Sequence, residues 1–167
     1  MESGQPKVSV LEILIVVAII GLIGVLATFA VNTARSKTRD ATRISNVRQI
    51  QSALEDFFNE SNTYPAGETL PLGDSATSAC LGVSGFLGDC SSEKSIIIRT
   101  VPRTFEDGLN GVVTCGTPTR NAFCYTSMNG GDAYAIQFEL ENALPTVGLR
   151  QGVNCAMPGK MQAGNCQ

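Results

Sequence analysis

One uncharged stretch constrains the fold of this chain more than any other feature of its sequence. Residues 13–30 carry no charge, and Thr28 is their only clearly polar side chain. A helix of this length is long enough to cross the hydrocarbon core of a bilayer. No comparable stretch follows, so we expect at most one membrane-spanning segment among the 167 residues.

The uncharged stretch leads into a segment with a single apolar face. No proline lies between Lys7 and Pro65 to break a helix. Apolar residues recur there at spacings of three and four: Ile44, Val47, Ile50, Leu54, Phe57 and Phe58. Charged residues fall elsewhere around the helix: Arg43, Arg48, Glu55 and Glu60. The pattern predicts one helix over residues 8–61, apolar all round at first and then amphipathic, so that its second half packs on a C-terminal domain.

The C-terminal domain contains signals for a small antiparallel sheet. Residues 122–128 and 133–140 flank a glycine-rich connection, which predicts a hairpin. Residues 95–99 are β-branched and predict a short strand. Residues 66–93 are rich in Gly, Ser, Thr and Ala and are expected to form a structured loop, and residues 147–167 a loop-like tail. The predicted fold class is α+β, a long helix packed on a small sheet.

Six cysteines, all beyond residue 79, point to disulfides in an oxidising compartment. Free or metal-bound thiols are the less favoured alternative, because the chain has neither a C-x-x-C motif nor a histidine. Pairing of consecutive cysteines is favoured because each pair closes a short loop at low entropic cost. The residues are Cys80, Cys90, Cys115, Cys124, Cys155 and Cys166. We expect no metal and no cofactor.

Composition and charge exclude several classes of function. The absence of histidine excludes Ser-His-Asp and Cys-His catalysis. No nucleophile with a base and no phosphate loop is evident, so we expect no enzyme. Residues 50–167 hold twelve acids and six bases, whereas residues 31–49 hold five bases and one acid. An acidic C-terminal domain is a poor general binder of nucleic acid.

Glu12 stands out as a carboxylate at the start of the uncharged stretch. An acid at membrane depth costs a few kcal/mol on insertion scales and by default marks a functional contact. The alternative is that Glu12 lies at the headgroup interface and stays solvated.

Residues 8–23, VSVLEILIVVAIIGLI, resemble the N-terminal signature of type IV pilins and the related pseudopilins. The resemblance extends loosely through residues 32–37 to Tyr64-Pro65. It implies a pilin fold, and a leader of residues 1–7 that a prepilin peptidase removes by cutting between Lys7 and Val8, usually with methylation of the new amine. Glu12, fifth from that cut, would neutralise the N-terminal amine of a neighbouring subunit.

The sequence departs from the pilin pattern at the cleavage junction. Lys7 stands where the family has glycine, and Val8 stands where phenylalanine is commonest. Gly4 offers an alternative junction, after which Glu12 would be the eighth residue. Gly21 and Gly24 invite the further hypothesis that the helix melts locally on assembly.

The orientation signals conflict. The basic residues that follow the uncharged stretch place the C-terminal domain in the cytoplasm under the positive-inside rule, whereas six cysteines place it outside. We favour the cysteines and the signature. The basic residues Arg35, Lys37, Arg39 and Arg43 are then expected to pair with acids on neighbouring subunits or with lipid headgroups.

These observations divide the chain into a leader (1–7), a transmembrane or filament-core half of the helix (8–34), an amphipathic half (35–62) and a disulfide-clamped domain (63–167).

The expected function is that of a type IV pilus subunit. It would start in the inner membrane, end in an extracellular filament of identical copies, and serve adhesion, twitching motility or DNA uptake. The alternatives are a pseudopilin, a membrane-anchored secreted domain, and a domain behind an ordinary cleaved signal peptide.

Overall fold

A computed structural model of the chain describes residues 9–166. Helix α1 spans Val10–Ser61, which confirms the long helix predicted for residues 8–61 over its described part. The described residues divide into two compact units, one that ends at Arg35 and one that begins at Ser36. We call residues 36–166 the head.

The sequence accounts for where α1 ends. Asn62 follows the helix with a φ of 57°, in the left-handed region that commonly terminates helices. Its N–H donates to the Phe58 carbonyl at 2.7 Å, and the Ser61 hydroxyl donates to the Phe57 carbonyl at 2.7 Å. Carbonyls at the helix end are thus satisfied, and Pro65 follows shortly after.

Within residues 9–166 the strands that follow α1 belong to three antiparallel sheets. The strands are β1 (Leu70–Pro71), β2 (Cys80–Gly82), β3 (Gly85–Leu87), β4 (Ile96–Ile98), β5 (Thr114–Cys115), β6 (Arg120–Asn121), β7 (Cys124–Met128), β8 (Ala133–Leu140), β9 (Gly152–Met157) and β10 (Lys160–Ala163). The largest sheet has the order β1-β7-β8-β9-β10, and the smaller ones pair β3-β2-β4 and β5-β6. Short 3-10 turns occupy Asn129–Gly131 and Pro145–Val147. The predicted α+β fold class is confirmed.

The predicted hairpin and the predicted short strand are both present. Strands β7 and β8 pair in register from Met128 opposite Ala133 to Cys124 opposite Gln137. Their connection contains Gly130 at a φ of 71°, a conformation that suits glycine. Strand β4 lies inside the range predicted for a strand, residues 95–99.

The prediction of a loop-like tail over residues 147–167 is wrong, because the tail contains β9 and β10. Strand β9 pairs with β8 on one side and with β10 on the other, so it lies inside the sheet. The turn between β9 and β10 contains Pro158-Gly159, with Gly159 at a φ of 69°. Residues 66–93 likewise contain three short strands, β1, β2 and β3, in addition to loop.

The core of the head lies between the amphipathic half of α1 and the largest sheet. The predicted helix stripe is buried at Val47, Ile50, Leu54 and Phe57, none of which is more than 5% exposed. The alternating residues of β8 meet this core with no exposed surface: Tyr134, Ile136, Phe138 and Leu140. Each large apolar side chain buried in this way stabilises the fold by roughly 1.5–3 kcal/mol.

Three disulfides clamp the head: Cys80–Cys90, Cys115–Cys124 and Cys155–Cys166. Consecutive cysteines are paired, as the sequence favoured, with separations of 10, 9 and 11 residues. Loops of this size each stabilise a fold by about 2–3 kcal/mol in the chain-entropy account.

Candidate functional site

The first part of α1 presents an apolar surface that no described residue covers. We call residues 10–31 the apolar segment; its large hydrophobic side chains are 47% (Val31) to 79% (Val10) exposed. The most apolar window of α1 has a mean hydropathy of 3.0 and is long enough to cross a membrane. A helix that is apolar all round requires lipid or other helices as its surroundings.

The polar groups within and next to the apolar segment are satisfied by the helix itself. The Thr28 hydroxyl donates to the Val25 carbonyl at 2.7 Å, and the Thr33 hydroxyl donates to the Phe29 carbonyl at 3.0 Å. Such internal hydrogen bonds remove the cost of placing a hydroxyl in an apolar medium. Thr28 is therefore compatible with burial in lipid or among helices.

Glu12 lies in the first turn of α1, where a carboxylate is favoured by the partial positive charge of the helix end. Its side chain is exposed, and its N–H donates to the Ser9 carbonyl at 3.0 Å. Across residues 9–166, no ion pair involves Glu12. The predicted cleavage junction, Lys7 and Val8, lies outside the described residues, so the contact between Glu12 and a neighbour's amine stays a prediction.

Gly21 and Gly24 lie in unbroken helix. A methyl group added at either position would meet nothing within 4 Å. Close packing inside the described chain therefore does not explain either glycine. The predicted local melting at these residues stays a prediction.

A cluster of buried charges attaches α1 to the far end of β8. Arg43 donates to Asp40 at 2.9 Å and to Glu141 at 2.6 Å, and the side chains of Asp40 and Arg43 have no exposed surface. Arg39 holds Glu141 through two hydrogen bonds, at 2.7 and 2.6 Å. Asp40 also accepts from the N–H groups of Glu141 and Asn142, each at 2.9 Å. These partners offset much of the cost of removing the charges from water, although the Nε of Arg43 is buried without a hydrogen-bond partner among residues 9–166.

The same arginine organises a loop of the head. One Nη of Arg43 donates to the carbonyls of Phe105 at 2.8 Å and Asp107 at 2.6 Å. A single guanidinium thus joins α1, the end of β8 and the 105–107 loop, using its planar set of donors.

Two sequence expectations about Arg43 are wrong. Arg43 was expected away from the apolar stripe but is fully buried, so it has no exposed surface with which to pair with a neighbour or lipid. Arg39 pairs with Glu141 of its own chain and is partly exposed, so its expected pairing with a neighbour or lipid stays a prediction. The spacing of these residues along the helix could have indicated that Arg43 is buried. Stepping back from Val47 by four and then three residues leads to Arg43 and Asp40, so both continue the buried stripe. For Arg35 and Lys37 the expected pairing stays a prediction.

The contacts of Glu141 change its ionisation. Hydrogen bonding from Arg39 outweighs the cost of burial, with a further contribution from Arg43, and holds the pKa of Glu141 below its ordinary value of 4.5. Glu141 consequently stays ionised in the folded head under mildly acidic conditions.

Glu139 is a second buried carboxylate that sequence patterns did not indicate. It is 2% exposed and accepts from the N–H groups of Asn110 at 2.6 Å and Val112 at 3.0 Å, and from the Asn121 side chain at 2.8 Å. Glu139 therefore fastens the 110–112 loop and β6 to the outer face of β8. Acids on alternating positions of a strand are usually solvated, which is why its burial could not be inferred.

The cysteines of the head are covalent cross-links and not free thiols. All six are in disulfides, and among residues 9–166 no group of three or more His, Cys, Asp or Glu side chains is arranged to hold a metal ion.

In comparisons of the chain with protein-family models, with curated proteins and with solved structures, nothing matched.

Proposed function

We propose that this chain is a structural subunit of a type IV pilus filament, made of many copies of the chain held together through their apolar segments. The observation that carries the proposal is the exposed apolar segment with one carboxylate in its first turn, Glu12, which forms no ion pair with residues 9–166. Lipid can cover such a surface before assembly, and the same segments of other copies can cover it afterwards. The proposal assigns the chain no catalytic role.

Glu12 has a specific role in this proposal. A carboxylate enclosed by apolar helices is stable only beside a cation. Cleavage by a prepilin peptidase between Lys7 and Val8 would create a cationic amine near one end of each apolar segment. Pairing of Glu12 with the amine of the next copy would fix the register between neighbouring helices.

The proposed location changes with assembly. The apolar segment supports insertion in the inner membrane, and the three disulfides support a head on the oxidising side of it. The assembly machinery would then move the chain into an extracellular filament on the bacterial surface, which serves adhesion, twitching motility or DNA uptake.

Two related functions compete with this one. A pseudopilin would use the same apolar segment in a short secretion filament, and a membrane-anchored secreted domain would keep it in lipid permanently. The amphipathic half of α1 and the clamped head suit all three, so the location of the mature chain distinguishes them.

The test is intact-mass and N-terminal peptide mass spectrometry on filaments sheared from cells, with the membrane fraction as control. A chain that starts at Val8, carries a methylated amine, and is six hydrogen atoms lighter than its reduced form supports the pilus. Recovery of the whole chain with Met1, and only from membranes, contradicts both the cleavage and the filament.

A further inference from the structure

The head has an open cavity of about 420 Å³ that the proposed filament role does not use. Three chain segments line it: residues 71–75, 103–107 and 120–122. Its volume lies within the range of about 300–1,000 Å³ that is usual for small-molecule sites. All of these residues belong to the head, so the cavity is complete within one chain.

Two of the lining segments approach each other closely at Gly73 and Arg103. Gly73 has a φ of 77°, and a Cβ placed on it would lie 2.7 Å from the Cβ of Arg103. Any larger residue would push the 71–75 and 103–107 segments apart, because real Cβ atoms do not come so close. The shape of the cavity therefore depends on glycine at this position.

Two buried charged residues form hydrogen bonds to residues that line the cavity and so fix two of its walls. Arg43 fixes the carbonyls of Phe105 and Asp107, and Glu139 holds the side-chain amide of Asn121. Neither buried residue lines the cavity itself. A site whose walls are held in place before a ligand arrives loses less free energy to ordering on binding.

The lining contains positively and negatively charged side chains, which supply hydrogen-bond donors and acceptors. Arg120 pairs with Asp74 at 2.5 Å, whereas Arg103 forms no ion pair with any residue from 9 to 166. The Thr104 hydroxyl is buried without a hydrogen-bond partner in the same part of the chain. That oxygen has almost no accessible surface, so the donors and acceptors open to a ligand are those of the other polar lining residues.

One aromatic ring completes the lining. Phe105 is 50% exposed although its carbonyl is anchored by Arg43. An aromatic face held at a polar cavity packs well against an apolar ligand face, such as the C–H face of a sugar ring.

We propose that this cavity binds a neutral saccharide of mono- or disaccharide size. Each sugar hydroxyl both donates and accepts, which suits a lining that mixes guanidinium, carboxylate, amide and hydroxyl groups. A strongly charged ligand is disfavoured because the lining mixes both signs, with two bases (Arg103 and Arg120) against three acids (Asp74, Glu106 and Asp107). The proposal concerns the head of a single chain and does not depend on filament assembly.

Binding is tested by saturation-transfer NMR on the full chain in dodecylphosphocholine, a detergent without a sugar headgroup that could compete. The probes are lactose, maltose and N,N′-diacetylchitobiose, with N-acetylneuraminic acid and trilysine as charged controls. Saturable binding of at least one neutral disaccharide, displaced by neither charged control, is the expected result. No saturable signal from any of the three at millimolar concentrations, or binding of a charged control alone, overturns the proposal.

Variants locate the binding to this cavity. Phe105→Ala and Arg103→Gln are each expected to weaken disaccharide binding about tenfold or more, whereas Phe105→Tyr retains it. The matched controls, Val83→Ala and Arg99→Gln, change exposed residues that do not line the cavity and should leave affinity unchanged. Unchanged binding in both cavity variants, with near-ultraviolet circular dichroism like that of the wild type, overturns the assignment.

Discussion

Asp40 and Arg43 form an ion pair 2.9 Å long in which neither side chain has any exposed surface. They lie one turn apart on α1, and Glu141, from the end of β8, completes the cluster. Charges this deeply buried stabilise a fold only while every partner is present. Removal of any one partner would therefore leave an uncompensated charge where α1 packs against the end of β8.

Removal of the arginine should be strongly destabilising. Arg43→Met keeps much of the side-chain volume but leaves Asp40 and Glu141 without their shared cation, at a cost of about 3–5 kcal/mol in the free energy of unfolding. Urea titration of the full chain in detergent, followed by near-ultraviolet circular dichroism of the buried tyrosines, measures the loss. The exposed Arg48→Met on the same helix is the control and should cost under about 1 kcal/mol. Equal effects of both substitutions would contradict the cluster's importance.

Stability should fall with acid in a way that depends on Glu141. Because the pKa of Glu141 is lowered in the folded head, its contribution is fully present above the unfolded value near 4.5 and is lost as pH falls through the folded value. The difference in unfolding free energy between wild type and Glu141→Gln should thus be constant near neutral pH and shrink below pH 4.5. Urea titrations at successive pH values give this difference. A difference that is independent of pH down to about pH 3 would show that folding does not lower the pKa of Glu141.

Assembly should depend on the charge of Glu12. Glu12→Gln removes the proposed partner of a neighbour's amine while leaving the apolar segment intact, so the chain should still insert in membranes but yield at least about tenfold fewer sheared filaments. Immunoblots of the sheared and membrane fractions provide the measurement. Glu60→Gln, also an exposed glutamate of α1, is the matched control. Normal filament yield from Glu12→Gln would refute the register role.

The Cys155–Cys166 disulfide should stabilise the C-terminal hairpin. It closes a loop with a separation of 11 residues, so its loss should reduce the free energy of unfolding by about 2–3 kcal/mol. Cys166→Ala is the cleaner variant, because Cys166 is only partly buried whereas Cys155 is fully buried. The double variant with Cys155→Ala separates lost packing from the lost cross-link. A cost under about 0.5 kcal/mol for Cys166→Ala would show that the hairpin is held by its sheet contacts alone.

Local patterns predicted those elements whose signals lie within a few residues of one another. The helix to Ser61 follows from its apolar periodicity and lack of proline, and the β7–β8 hairpin follows from alternation around a glycine-rich turn. Consecutive pairing of the cysteines follows from short loop closure. The C-terminal hairpin was missed although Pro158-Gly159 is itself a turn signal, because β9 lies inside the sheet and does not alternate.

For the candidate site, too, the sequence shows the local features, and the tertiary structure shows which distant residues come together. The sequence by itself determined the apolar segment and singled out Glu12, because an uncharged run with one acid is visible without knowledge of any partner. Only the tertiary structure decided that Asp40, Arg43 and Glu141 share one buried cluster. Arg43 and Glu141 are 98 residues apart, and whether a charge is solvated or buried depends on what the fold brings to it. A local pattern records which side chains are present, whereas the cost of burying them is set by partners that only the folded chain supplies.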